Sequence, residues 1–154
     1  MKKIISSTIF VAALAVNSMA YDSAKAEGFD KFFSNFTQKA CADSKLFIES
    51  EEVMRMLRDK AKFTLLDIRT IGEAGIVAVT AENGIHIPLK NLFEKENLDK
   101  LAVDTPLVVV CHSDTRATIA VVGLKQLGFK KVQVLKGGIV ALADADTPKN
   151  APMQ

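Results

Sequence analysis

The sequence predicts a three-layer α/β domain, in which a mainly parallel central sheet lies between layers of helices. The run Leu107–Val110 is apolar without interruption, which is typical of a strand buried on both faces. Two further strands are predicted at residues 63–68 and Val132–Leu135. Segments with helical spacing of apolar residues lie between these strands, and such alternation indicates parallel strands joined by crossover helices.

The most informative stretch joins the strand at Leu107–Val110 to the helix that follows. The apolar run stops at Cys111, and four polar or charged residues separate that cysteine from Arg116. A helix is predicted over residues 117–127. Its apolar spacing predicts a buried face of four residues, Ile119, Val122, Leu124 and Leu127.

A strand, a tight loop and a helix in this order place a cysteine where anions bind. The N-terminus of a helix presents unpaired N–H groups and a partial positive charge, and inward loop amides add to it. We expect the thiol of Cys111 to be partly ionised in such a cradle, and Arg116 to offer a second anion contact. The alternative is that Cys111 is an inert, small hydrophobic residue.

Residues 111–116, CHSDTR, resemble the active-site loop of the rhodaneses, which are sulfurtransferases. That loop has a cysteine, four residues and an arginine, whereas the related cell-cycle phosphatases have five intervening residues and a wider cradle. Two flanking motifs also resemble the family, LLDIRT at residues 65–70 and VLKGG at residues 134–138. The similarity covers about residues 45–143, and a single rhodanese-like domain is expected over residues 45–145.

The resemblance implies that Cys111 is the catalytic nucleophile, which takes sulfane sulfur from thiosulfate or a persulfide and passes it to a thiol or cyanide-like acceptor. The substrate-binding residues that it implies are those of the loop, His112, Ser113, Asp114, Thr115 and Arg116. Asp67 and Arg69 are expected to brace the loop without reacting, and Glu73 matches an acidic residue of the family. No cofactor is required.

Asp114 stands where the family usually has glycine. Aspartate tolerates left-handed backbone better than most residues, but it adds a carboxylate at the mouth of an anion site. Slow thiosulfate turnover is one expectation, and a non-catalytic sulfur carrier or binding module of rhodanese fold is the alternative function. A phosphatase or arsenate reductase on the same fold is less consistent with the short loop.

Residues 1–20 resemble a secretory signal peptide, with a second cleavage position after residue 26. Lys2 and Lys3 precede the apolar residues 4–16, and a small-residue cleavage pattern follows. The apolar stretch is too short for a membrane anchor, which needs about 20 residues. We therefore expect export, to a bacterial periplasm, with no membrane contact after cleavage.

Flanking segments are predicted on both sides of the main domain. Residues 27–44 form an N-terminal helical extension, in which phenylalanines at helical spacing predict one helix over residues 27–41 packed on the main domain. Residues 146–154 are predicted to be a loose tail. Within the domain, Asn91 and Glu94 predict a capped helix that ends near Leu101.

Composition and cysteine placement limit the remaining possibilities. The net charge of +2 comes from Lys2 and Lys3, and the sequence has no tryptophan, one tyrosine and no basic stripe, which argues against nucleic-acid binding. No histidine–cysteine spacing suits zinc. Two roles remain open for Cys41, a disulfide with Cys111 or a resolving thiol for an oxidised Cys111. The sequence does not predict the oligomeric state.

Overall fold

A computed structural model describes residues 21–149 of the chain. Its centre is a five-stranded, wholly parallel sheet with the strand order β1-β5-β4-β2-β3. The strands are β1 Phe47–Ile48, β2 Thr64–Asp67, β3 Gly84–His86, β4 Leu107–Val110 and β5 Val132–Leu135. The predicted fold class, a mainly parallel sheet flanked by helices, is confirmed. The predicted signal peptide and residues 150–154 of the predicted tail lie outside the described residues.

Eight helices are described within residues 21–149. They are α1 Ser23–Phe33, α2 Gln38–Asp43, α3 Ser50–Arg58, α4 Ile71–Ile76, α5 Leu89–Leu92, α6 Lys95–Leu98, α7 Thr115–Gln126 and α8 Gly138–Ala145. None of the helices in this part of the chain is long and apolar enough to cross a bilayer.

Two apolar clusters occupy opposite faces of the sheet. Because side chains alternate along a strand, Val108 and Val110 of β4 enter one cluster while Val109 enters the other. Helices α3 and α8 cover the first face, and α7 covers the second with buried residues that include Leu124. All four side chains of β4 are therefore buried, as its uninterrupted apolar run predicts.

The register of the sheet brings the ends of β2 and β4 together. Asp67 lies opposite Val110, and the amide of Ile68 donates to the carbonyl of Val110 at 2.9 Å. Both strands run in the same direction, so the residues that follow them emerge at one edge. This is the edge where open α/β sheets carry their sites.

The single helix predicted over residues 27–41 is wrong. Helix α1 ends when Ser34 donates its amide to the carbonyl of Asp30, and a new helix begins at Thr37, whose hydroxyl accepts from the amide of Ala40. The chain also divides into two compact units between residues 35 and 36, with α1 in the first. In α1 the ring centroids of Phe29 and Phe33 lie 6.2 Å apart. Its predicted packing on the main domain stays a prediction.

The predicted buried face of α7 is also largely wrong. Ile119 is 64% exposed and Leu127 is 53% exposed, whereas Ala117, Ala120 and Val121 are buried together with Leu124. The small side chains of Ala117 and Ala120 suit a close approach of this face to the sheet, whereas Ile119 lies on the outer side of the helix. The helix predicted from Asn91 to Leu101 is instead α5 and α6, because the Asn91 side chain bonds the Glu94 side chain at 2.7 Å and caps no helix.

Candidate active site

Cys111 is the first residue after β4, at the edge where β2 also ends. The residue is only 1% exposed and belongs to the apolar cluster under α7. Its carbonyl oxygen accepts a hydrogen bond from the amide of Ile139 in α8 at 2.9 Å. The loop that carries the predicted nucleophile is therefore held by a backbone hydrogen bond from the first turn of α8.

Gly138 lies directly against this loop, in left-handed conformation with φ of +60°. A Cβ atom at this position would overlap the carbonyl oxygen of Ser113 and would lie 2.6 Å from those of Cys111 and His112. Three successive carbonyl groups thus converge on a residue without a side chain. Only glycine combines this close approach with this backbone conformation.

The converging carbonyls determine where the loop amides point. The peptide bonds are trans, so each N–H points opposite to the carbonyl of the same peptide unit. The amides of His112, Ser113 and Asp114 therefore face away from Gly138, and none of them donates to a protein acceptor within residues 21–149. With the unpaired amides of the first turn of α7, they provide the N–H groups that the predicted anion cradle needs, and anion binding by the loop stays a prediction.

Arg116 forms a two-pronged ion pair with Glu73 of α4. Its Nη1 lies 2.8 Å from Oε2 and its Nη2 lies 2.5 Å from Oε1 of that carboxylate. The pKa of Glu73 is held well below its usual range, first by Arg116 and then by hydrogen bonds from the amide and hydroxyl of Thr70. The pKa of Arg116 is raised, chiefly by Glu73 and further by the neighbouring Cys111 side chain. Much of the Arg116 charge is therefore already compensated.

Glu73 also completes the N-terminal cap of α4. The Thr70 hydroxyl accepts from the amide of Glu73, while the Glu73 carboxylate accepts from the amide of Thr70, which is a capping box. One carboxylate thus fixes the start of α4 and the guanidinium at the start of α7. The sequence indicates Glu73 only as an acidic residue that matches the family. It does not predict the ion pair, because Arg116 lies 43 residues further along the chain.

Asp67 and Arg69 form a buried pair at the end of β2, each 2% exposed. Arg69 Nη2 lies 2.6 Å from Asp67 Oδ2 and donates also to the carbonyl of Val77 at 2.6 Å. These contacts hold the end of α4 and do not touch residues 111–116. His86 Nε2 donates to the carbonyl of Arg69 at 2.9 Å, a structural contact. The predicted bracing of the active-site loop by this pair stays a prediction, because its contacts reach α4 and not the loop.

Asp114 occupies the N-cap position of α7 with φ of −151° and ψ of −19°, so its φ is negative and lies outside the left-handed region. The left-handed conformation considered for this position does not occur. The carboxylate does not cap the helix, whereas the backbone carbonyl accepts from the amide of Thr118 at 2.8 Å. The substitution of aspartate for the family's glycine thus adds a carboxylate to the loop at a position that does not use left-handed backbone.

The other loop residues are exposed at the surface. His112, Ser113 and Thr115 are accessible, and the two hydroxyl groups make no hydrogen bond as donors within residues 21–149. Cys41 is exposed in α2, while Cys111 is buried, and both are free thiols. The disulfide between them is therefore wrong, and a resolving role for Cys41 stays a prediction.

A groove of about 580 Å³ runs beside Arg116. Its lining comes from the end of β2, the start of α4 and the start of α5. The lining residues are Ile68, Thr70, Ile71, Gly72, Pro88, Leu89, Lys90 and Arg116. Sequence reasoning missed this groove, because residues 70–90 give no strong pattern and their wall is built by tertiary contacts.

The fold has a parallel sheet between helices, and a loop with four residues between a cysteine and an arginine lies at the carboxyl edge of that sheet. These features are those of a rhodanese-like domain. The chain belongs to this family, since the family model described as Rhodanese-like domain matches residues 49–145. A protein of Allochromatium vinosum named a sulfurtransferase is 32% identical over 108 residues, which cover 68% of this chain and 94% of that protein. The family match and this name support sulfur transfer at the level of the family.

Solved structures agree with this assignment. The rhodanese-related protein of Thermoplasma volcanium is 28% identical, with a TM-score of 0.55 over 66% of this chain and 93% of that chain. The rhodanese-like domain of the Alr3790 protein from Anabaena has a TM-score of 0.57, covering 67% of this chain and 76% of that chain. Its identity of 21% supports the fold alone.

Gly138→Ala should destabilise the protein by about 2–5 kcal/mol, because the added methyl combines overpacking with left-handed strain. Urea unfolding measures the loss of stability. Gly75→Ala is the control, since a Cβ at Gly75 meets nothing within 4 Å. Gly75→Ala should be neutral or stabilising. Equal effects of the two substitutions would contradict the close approach of Gly138 to the loop.

The Glu73 ion pair should give the folding stability a specific pH dependence. The folded state lowers the pKa of Glu73, so its stabilisation is fully present above the ordinary value of 4.5 and is lost as the pH falls below it. The difference in unfolding free energy between the parent and Glu73→Gln should be constant at neutral pH and should shrink below pH 4.5. Chemical denaturation across pH measures it, and a difference that did not change with pH would refute the ion pair.

Proposed function

We propose that this protein transfers sulfane sulfur through a persulfide on Cys111. The thiolate of Cys111 attacks the outer sulfur of thiosulfate or of a persulfide, and the sulfur–sulfur bond of the donor breaks. Sulfite or a thiolate leaves with the electron pair of that bond. The Cys111 persulfide then gives its outer sulfur to a thiol or cyanide-like acceptor, and the Cys111 thiolate is restored.

One observation supports this proposal above the others. The carbonyls of Cys111, His112 and Ser113 converge on Gly138, so the amides of residues 112–114 face the opposite side. An anionic persulfide on Cys111 needs such donors, because each hydrogen bond to a charged group is worth about 1.5–3 kcal/mol.

The remaining site residues take positioning or binding roles in this proposal. Ser113 and Thr115 supply hydroxyl donors at the exposed loop, and His112 tunes the local charge. Arg116 stabilises the anion that leaves the donor, while Glu73 reduces the net positive charge at Arg116. Asp67 and Arg69 hold α4, which carries Glu73. No cofactor takes part.

We propose further that the protein acts after export to a bacterial periplasm. The basis is the pattern of residues 1–20, with Lys2 and Lys3 before an apolar stretch. Small sulfur donors and acceptors of that compartment are then its partners, with no nucleic acid.

A second candidate function is that of a sulfur carrier with slow turnover. Two observations favour it, the pairing of Arg116 with Glu73 and the carboxylate of Asp114 in the loop. Both reduce the positive potential that a dianionic donor meets. A carrier loads once with sulfur and releases it to a dedicated acceptor, whereas an enzyme turns over with thiosulfate and cyanide in steady state.

Cys111→Ser should abolish sulfur loading, while Cys41→Ser should leave it intact. Cys111 lies on the amide cradle, whereas Cys41 is exposed on α2. Intact-protein mass spectrometry after thiosulfate or persulfide treatment detects the added sulfur atom. Persulfide on the Cys111→Ser protein at parent levels would refute the assignment.

Asp114→Gly should raise kcat/KM for thiosulfate by up to about tenfold, because a carboxylate near the cradle repels a dianion. A neutral donor should gain much less. Asp114→Asn is the matched variant, since it removes the charge and keeps the side chain. If both variants lowered the activity towards every donor, Asp114 would act by holding the shape of the loop.

A further inference from the structure

The groove beside Arg116 indicates which sulfur donor the site accepts. This inference rests on the function proposed above. We propose that the groove binds the carbon body of a small organic persulfide, and that Lys90 pairs with a carboxylate on that body. The donor is thus an acidic alkyl persulfide in preference to thiosulfate.

The first argument is the charge at the loop. Both oxygens of Glu73 are engaged by Arg116, at 2.8 and 2.5 Å, so the guanidinium is largely neutralised before a donor arrives. Asp114 adds a carboxylate to the same loop. A compact dianion such as thiosulfate gains little here, because it depends on net positive charge at the point where sulfur is transferred.

The second argument is the size and chemistry of the groove. A volume of about 580 Å³ lies within the range of sites for small organic ligands and is far larger than thiosulfate needs. Four of its eight lining residues are apolar, namely Ile68, Ile71, Pro88 and Leu89. Ile71 is 73% exposed, so it gains from burial when an alkyl chain covers it.

The third argument is the position of Lys90. This residue lies in the second position of α5 and lines the groove with Arg116. Its ammonium makes no ion pair or hydrogen bond within residues 21–149, so it is available to an anionic group in the groove. An unpaired cation beside an apolar surface complements a ligand that has an apolar body and an anionic end.

Such a donor fits the reaction without any further reactant. The Cys111 thiolate attacks the terminal sulfur of the alkyl persulfide, the sulfur–sulfur bond breaks, and an alkyl thiolate leaves with its electron pair. The terminal sulfur keeps whatever proton it carried. Arg116 lines the groove, and its guanidinium also interacts with the Cys111 side chain, so a carbon body in the groove lies next to a residue that contacts the reacting sulfur.

The test compares two alkyl persulfides of equal chain length, one ending in a carboxylate and one in an uncharged group, with thiosulfate as the third donor. The rate of persulfide formation on Cys111 at limiting donor is measured by rapid quench and mass spectrometry. In the parent chain the carboxylated persulfide should load about fivefold faster than the neutral one. Lys90→Gln should remove this preference.

A matched control is Lys62→Gln. Lys62 is also exposed, but it precedes β2 and so lies at the opposite edge of the sheet from Cys111. This variant should keep the full preference for the carboxylated donor. An equal loss of preference in both variants would overturn the proposal, because it would mark a general effect of surface charge.

A second pair of variants tests the apolar part of the groove. Ile71→Ser should slow loading by both alkyl persulfides about threefold or more and leave thiosulfate within twofold, because the carbon body loses apolar contact. Ile76→Ser is the control, since Ile76 is 87% exposed on the same helix and does not line the groove.

The outcomes separate this proposal from the function on which it rests. If no donor places sulfur on Cys111, the proposed function fails. If all donors load Cys111 but Lys90→Gln and Ile71→Ser change nothing, only the donor assignment fails. Faster loading by a peptide persulfide without an acidic group would also overturn it, because the groove would then serve a protein partner.

Discussion

The active-site loop has its shape because residue 138 has no side chain. Three carbonyls converge on Gly138, and the amide of Ile139 donates to one of them, so the loop amides face the other way. The loop amides can thus face outward as hydrogen-bond donors because glycine, on the opposite side of the loop, leaves room for the three carbonyl groups. The chemistry attributed to Cys111 depends on a contact made by α8, which follows the loop by more than twenty residues in the sequence.

The sequence predicts the central part of the fold well, because β4 and its neighbours carry signals that are local. The apolar run of β4 and the helix start after Cys111 both appear as predicted. Side-chain burial on α7 is less predictable, since hydrophobicity favours Ile119 while close packing on the sheet selects Ala117 and Ala120. Helix breaks near Thr37 depend on single side-chain hydrogen bonds, which spacing alone does not reveal.

The candidate site is predictable in its residues and much less so in its contacts. Residues 111–116 can be recognised by their spacing, but the ion pair of Arg116 with Glu73 joins positions 43 residues apart. No local pattern indicates that this carboxylate, already used to cap α4, also compensates the charge of the loop arginine. The groove depends likewise on how α4 and α5 are placed by contacts such as that of Arg69 with Val77.

The outermost strands of the sheet are its shortest, with two residues in β1 and three in β3. Every strand edge offers unpaired N–H and C=O groups that can recruit a strand from another chain, and very short edge strands are one means by which natural proteins prevent this. Neither edge of this sheet is long enough to be a good template for such pairing. The fold therefore resists edge-to-edge aggregation through the length of its outer strands.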